Sequence, residues 1–258
     1  MLCRDIICVI EHTYPRQVAL EWDNVGLLVG RTEKEVERIY VALDATDDVI
    51  DDAIAKGADM LITHHPLIFS PLKTITDEHF IENRVVKLLQ HDISYYALHT
   101  NYDVIRMAQL SVDRLGLKNT VVLELTDVDQ GMGVGRVGEL SEAITLENCC
   151  RLVKEKFGLQ AVKVFGNLNA KVKRIAVSPG SGKHMSDLAI EKGVDVFITG
   201  DIDHHEGIDA VARGTAIIDA GHYGLEYVFI EDMASYFMEK LDAVAIEKAE
   251  IIQPFQVI

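Results

Sequence analysis

Long hydrophobic runs are missing from this chain: no apolar stretch approaches the roughly 18 residues needed to cross a bilayer. The N-terminus, Met1–Pro15, mixes Leu2, Ile6, Ile7, Val9 and Ile10 with charges, which predicts an amphipathic helix and not a signal peptide. Low-complexity tracts and linkers rich in proline or glycine are also missing, so no loosely tethered module is expected. Cysteine is scarce, and Cys3, Cys8, Cys149 and Cys150 form no C-x-x-C pair. That removes the structural zinc spacing and the disulfide framework; buried free thiols and a cytoplasmic setting are the expectation. Basic residues are few as well, 25 Lys and Arg against 41 Asp and Glu, a net charge of −16. A general phosphate-backbone binder needs a basic stripe, so nucleic acid is disfavoured as a partner. A small anionic substrate stays open, because bound cations reverse the local field of a cleft.

What is present is an ordinary globular balance, 48% hydrophobic and 26% charged, in a chain long enough for one large domain or two. A near-repeat dominates it. Val36–His65 slides onto Val172–Asp201 without a gap, with identities at Arg38/Arg174, Val41/Val177, Asp51/Asp187, Lys56/Lys192, Gly57/Gly193, Asp59/Asp195 and Thr63/Thr199 among others. The period is too long for a solenoid and reads as two related α/β halves. Strand-length apolar runs alternate with helical spacing: Ile39–Leu43, Met60–Thr63 and Ile93–Leu98 as strands, with helices starting at Thr46–Asp52 and over Ile81–Gln90 and Arg106–Leu115. Such alternation implies parallel pairing through βαβ crossovers. Val121–Leu125 and Val134–Leu140 are predicted strands joined by a turn at Asp127–Gly133, followed by a helix Leu146–Phe157 capped by Thr145. The pattern resumes at Val172 and runs through Val194–Thr199, Ala216–Asp219 and a long helix from His222 to Leu241. The expected first domain is 1–126, with 243–258 a candidate return to it, and the second is 127–242.

The two halves end their matched strands differently, in His64-His65-Pro66 and in Gly200-Asp201. Ligands collect at the carboxyl edge of open α/β sheets, and Pro66 holds His65 out of the helical region. A second strand end supplies His99-Thr100-Asn101-Tyr102-Asp103, where Asp103 is either a hard anionic donor or a helix N-cap, and His99 a ligand, an orienting group or a proton carrier. A third supplies His222 and Glu226, four apart on one helical face, able to bite one ion or bridge two; a surface hydrogen bond is the plainer alternative. Three imidazoles and two carboxylates exceed what one tetrahedral zinc takes and suit two ions with positions left for water. Mixed nitrogen and oxygen donors point to zinc, iron or manganese, with cobalt and nickel also admissible, and away from calcium and magnesium.

These motifs, with Ile198-Thr199-Gly200-Asp201 and Glu21-Trp22-Asp23-Asn24-Val25-Gly26-Leu27, resemble the NIF-three-like dinuclear metal-centre family, often described as GTP cyclohydrolase 1 type 2 homologues, over essentially the whole chain. The resemblance implies two interlinked α/β domains with a dimetal site in the cleft between them, and a toroidal homohexamer. Carried over by position, the ligands are His64, His65, Asp103, His222 and Glu226, with Glu226 bridging two divalent ions per chain. It also implies a short form without the large inserted domain of some relatives.

Several residues stay open. Asp201 matches His65 in the repeat and is expected to face the same cleft. His204-His205 offers a proton carrier, an extra ligand or a solvated helix start. Trp22 is read as a packing anchor in preference to a base-stacking platform. Ser178–Lys183 lacks full P-loop spacing but can cradle an anion on backbone N–H groups. The leading expectation is a metal-dependent hydrolase of a nucleotide-like or phosphorylated small molecule, with His99, backed by His205, moving protons. The rival is a non-enzymatic metal-binding hexamer acting as scaffold, store or regulator.

Overall fold

A computed structural model of the chain describes residues 1–127 and 129–258. Val128, within the expected turn at Asp127–Gly133, lies outside the described residues. The strands in chain order are β1 Gly26–Val29, β2 Arg38–Ala42, β3 Met60–Thr63, β4 Ser94–Ala97, β5 Lys118–Asp127, β6 Met132–Thr145, β7 Lys163–Phe165, β8 Lys171–Ser181, β9 Val196–Gly200, β10 Ala216–Asp219 and β11 Ala245–Lys248. The fold is α/β with two sheets, and the chain divides into two units, Met1–Tyr102 with Val228–Ile251, and Asp103–Tyr227 with Ile252–Ile258.

The first unit carries a five-stranded sheet in the order β1-β4-β3-β2-β11. β11, β2, β3 and β4 run parallel, as the alternation predicts, and β1 closes one edge antiparallel to β4. Parallel strands need cover on both faces, which is why β3 and β4 are buried along their whole length. The helices Asp47–Ala55 and Phe80–Gln90 supply Ile50, Val85 and Leu88 to one core, around Tyr40, Leu61 and Tyr95. Of the segment 243–258, β11 pairs with β2, Ala245 opposite Arg38 and Lys248 opposite Val41, while Ile252–Ile258 groups with the second unit.

The second unit carries six strands in the order β5-β6-β8-β9-β10-β7. β8, β9 and β10 are parallel, flanked by the β5–β6 hairpin and by antiparallel β7. Leu123, Val137, Ala176, Phe197 and Ile217 face the helix residue Ala189 in its core. The expected boundary at Thr126 falls inside β5, which pairs antiparallel with β6, and not between units.

The near-repeat is β2, helix, β3 in the first unit and β8, helix, β9 in the second. Its identities have a shared physical cause. The Asp59 carboxylate accepts from the Glu37 and Arg38 amides at 2.8 and 3.0 Å, and Asp195 accepts from those of Lys173 and Arg174 at 2.7 and 2.8 Å. Gly57 and Gly193, at φ +67° and +65°, end the two helices in the left-handed conformation that glycine adopts without strain. Two expectations change. The helix His222–Leu241 is broken at Tyr227 into His222–Glu226 and Val228–Lys240, where the chain passes from one unit to the other. Cys8 is exposed, while Cys3, Cys149 and Cys150 are buried; burial pushes the Cys149 thiol up to about 12, which keeps it inert.

Candidate metal centre

In the first unit, β3 ends at Thr63 and the next peptide bonds are held tightly. The His65 amide donates to Leu43 O at 3.0 Å, and its carbonyl accepts from Thr63 Oγ1 at 2.8 Å and from Tyr95 Oη at 2.9 Å. Tyr95 is fully buried, which raises its hydroxyl well above the usual range and keeps it a neutral donor. This clamp turns the backbone so that both adjacent imidazoles gather on one side, their centroids 4.8 Å apart. His99, one residue past Leu98 at the end of β4, joins them at 5.2 and 5.7 Å. One donor nitrogen from each of His64, His65 and His99 lies within 4.8 Å of the others.

Each of these rings is oriented through Nδ1. His64 Nδ1 donates to Leu98 O, His65 Nδ1 to Asp44 Oδ1 and His99 Nδ1 to Asp23 Oδ1, all at 2.8 Å. An acceptor on Nδ1 favours the tautomer that carries its proton there and fixes the ring's orientation, the device that metal-ligating histidines use. The Asp23 side chain is 0% exposed and also accepts from the Thr100 amide at 2.9 Å and hydroxyl at 2.5 Å. Burial opposes its ionisation, but the hydrogen bond and charge of His99 and the bonds from Thr100 outweigh it, holding the carboxyl at about 2.

The second unit carries the other predicted donors. Asp103 opens a π-helical stretch to Met107, a geometry frequent at functional sites, so it is not the N-cap of the helix Ala108–Leu115. His222 and Glu226 form the short helix after Gly221, and Nε2 lies 3.0 Å from Oε2, as their spacing on one face predicts. Glu226 is 3% exposed. His222 repeats the device of the first unit: its Nδ1 donates to Asp201 Oδ2 at 2.7 Å. Asp201, at φ +54°, occupies a conformation a non-glycine residue rarely takes, which marks the site as constrained.

Two glycines make room. A Cβ on Gly180 (φ +75°) would sit 2.4 Å from Glu226 Oε1, and one on Gly200 would sit 2.5 Å from the His222 amide nitrogen. The Ser178–Lys183 stretch runs on as β8 to Ser181, where Gly180 admits Glu226, and the helix Met185–Glu191 follows it. His205 lies elsewhere, exposed in the first turn of His204–Ala212 behind an Asp203 cap, its ring edge-on to His204. Among the described residues no candidate donor group includes it. Trp22 is 58% exposed, which overturns its reading as a packing anchor.

Sequence reasoning missed Asp44 and assigned no role to Asp23. The available signal was position: Asp44 follows β2 at the same carboxyl edge as the histidines.

The donors of each unit fit a divalent transition ion: His64, His65 and His99 in the first and His222 in the second have Nδ1 tied to oxygen acceptors, and the second unit adds the carboxylates of Asp103 and Glu226. A family model described as Duf34/NIF3 (NGG1p interacting factor 3) matches residues 1–254. A Clostridium perfringens protein named GTP cyclohydrolase 1 type 2 homolog is 34% identical with 100% of both chains covered. A Clostridium acetobutylicum protein of the same name is 37% identical over 87% of this chain and 85% of its own. The crystal structure of a Bacillus cereus protein related to NIF3 matches with a TM-score of 0.94 at 27% identity, covering 100% of this chain and 99% of that one. A Staphylococcus aureus hypothetical protein matches at 0.90 and 32%, with the same coverage. The chain belongs to the Duf34/NIF3 family.

Proposed function

We propose that this protein is a metal-dependent hydrolase of a nucleotide-like small molecule, with His64, His65, Asp103, His222 and Glu226 holding two divalent transition-metal ions, zinc, iron or manganese. The observation that carries the reading is the repeated Nδ1 anchoring of His64, His65 and His222, the arrangement that metal-ligating histidines almost always show. Bound ions there would polarise the bond under attack and lower the pKa of water. His99 serves as the proton carrier: Asp23 holds its Nδ1 proton, so Nε2 accepts one and returns it. His205 is left out of the chemistry. The relatives' name, GTP cyclohydrolase 1 type 2 homolog, supports a purine nucleotide as the substrate class. A homohexamer located in the cytoplasm completes the proposal.

Elemental analysis of the protein as isolated, followed by a nucleotide turnover panel after loading with manganese, iron or zinc, tests it. Two ions per chain with hydrolysis of a nucleotide are expected, and Glu226→Gln should lose both. Two ions per chain with no turnover on any nucleotide, phosphoester or cyclic amide would instead favour a scaffold or regulatory role.

A further inference from the structure

Beside the histidines of the first unit stand two aromatic side chains that the chemistry above does not use. Trp22 and Phe69 are 58% and 57% exposed, and their rings pack at 5.7 Å with a 44° tilt. Both also meet His99, at 5.8 and 6.4 Å, edge to face. Large aromatic side chains ordinarily gain from burial, so a pair presented to solvent beside a donor cluster calls for a reason.

Their exposure does not come from slack backbone. The residue after Trp22 is Asp23, whose carboxylate is tied to His99, the Thr100 amide and hydroxyl, and the Asn24 amide. Asn24 in turn donates from Nδ2 to Ile68 O at 2.6 Å, fastening the Trp22 loop to the residue before Phe69. The same carboxylate thus orients His99 and fixes the chain that carries the indole. Part-buried polar bonds hold the chain beside each aromatic residue, while the rings themselves are left facing water. That is the construction of a stacking wall, preorganised so that little ordering is needed when a flat ring arrives.

We propose that Trp22 and Phe69 form a stacking platform for the planar heteroaromatic ring of the substrate, placing that ring beside His99. The proposal rests on the hydrolase reading above and supplies its specificity element. The platform recognises the π-face and not the hydrogen-bonding edge, so it selects for a flat ring and tolerates different bases. Indole and phenyl faces also lack the charge to hold a phosphate, which distinguishes this surface from an anion site.

Trp22 is the single tryptophan of the chain, so its emission reports on the platform alone. The metal-loaded protein is titrated with GTP, ATP, ribose 5-phosphate and tripolyphosphate while tryptophan fluorescence is followed, with equilibrium dialysis of GTP in parallel. Saturable quenching by GTP and ATP, and none by the two ringless anions, is expected. Phe69→Ala should weaken the quenching constant on the order of 10-fold, and Trp22→Leu should weaken GTP binding in dialysis to a similar degree. Both variants should leave the metal content and the circular dichroism spectrum unchanged, since neither side chain is buried or a ligand. GTP that binds in dialysis without quenching Trp22, or with equal affinity in both variants, would overturn the platform and leave the hydrolase reading standing. Metal absent from the wild-type protein would count against the hydrolase reading instead.

Discussion

Asp23 shows how one carboxylate serves folding and the site together. Its carboxyl titrates at about 2, below the ordinary value near 3.8, because bonds from His99 and Thr100 outweigh the cost of burial. As pH falls the unfolded chain therefore takes up the proton first, and the folded state loses a stabilisation it holds in full above the unfolded value. By linkage this amounts to about 2 kcal/mol, present above about pH 4 and lost progressively toward about pH 2. Urea unfolding of the wild type and Asp23→Asn across that range should show a stability gap that closes on acidification. A gap of constant size would mean that Asp23 acts through shape and not through charge. The residue was in plain view within Glu21–Leu27, yet its partners lie 76 and 77 positions away. A distance of that kind has no local signature, so its role was not legible before folding.

Among the elements, those whose periodicity reports their own burial were legible. β3, β10 and the helix Leu146–Phe157 with its Thr145 cap stand where the apolar spacing puts them. β1 and β7, the short antiparallel edge strands of the two sheets, were not foreseen. The break at Tyr227 was hidden because helical spacing continues through it. The repeat was legible because backbone amides impose it. In both copies a carboxylate after the helix accepts from two amides at the start of the preceding strand. Asp59→Ala and Asp195→Ala should therefore each cost about 1 kcal/mol, measured by denaturant unfolding, since each loses hydrogen bonds that water can partly replace. If only one of the two substitutions destabilises the protein, the copies are alike in sequence but not in energetics.

At the scale of the whole molecule, the net charge of −16 bears on assembly. Copies of one acidic chain repel through solvent over about 8–10 Å at ordinary ionic strength. The proposed homohexamer should therefore be held by apolar or specific polar contacts and should strengthen with added salt, and light scattering coupled to gel filtration reads this directly. A monomer at every salt concentration would remove the hexamer from the proposal. Of the candidate site, the donors were legible as histidines and carboxylates at strand ends, while the anchoring oxygens and the room left by Gly180 emerged only from the fold.

The first unit is discontinuous in the chain: its sheet is finished by β11, which is translated after all of residues 103–227. During synthesis residues 1–102 emerge first and residues 103–227 follow, all before β11 is made. The earlier stretch must wait with the β2 edge bare and Ile39 and Val41 awaiting cover. Vectorial synthesis thus leaves the sheet that begins the protein unfinished until nearly the whole chain has been made.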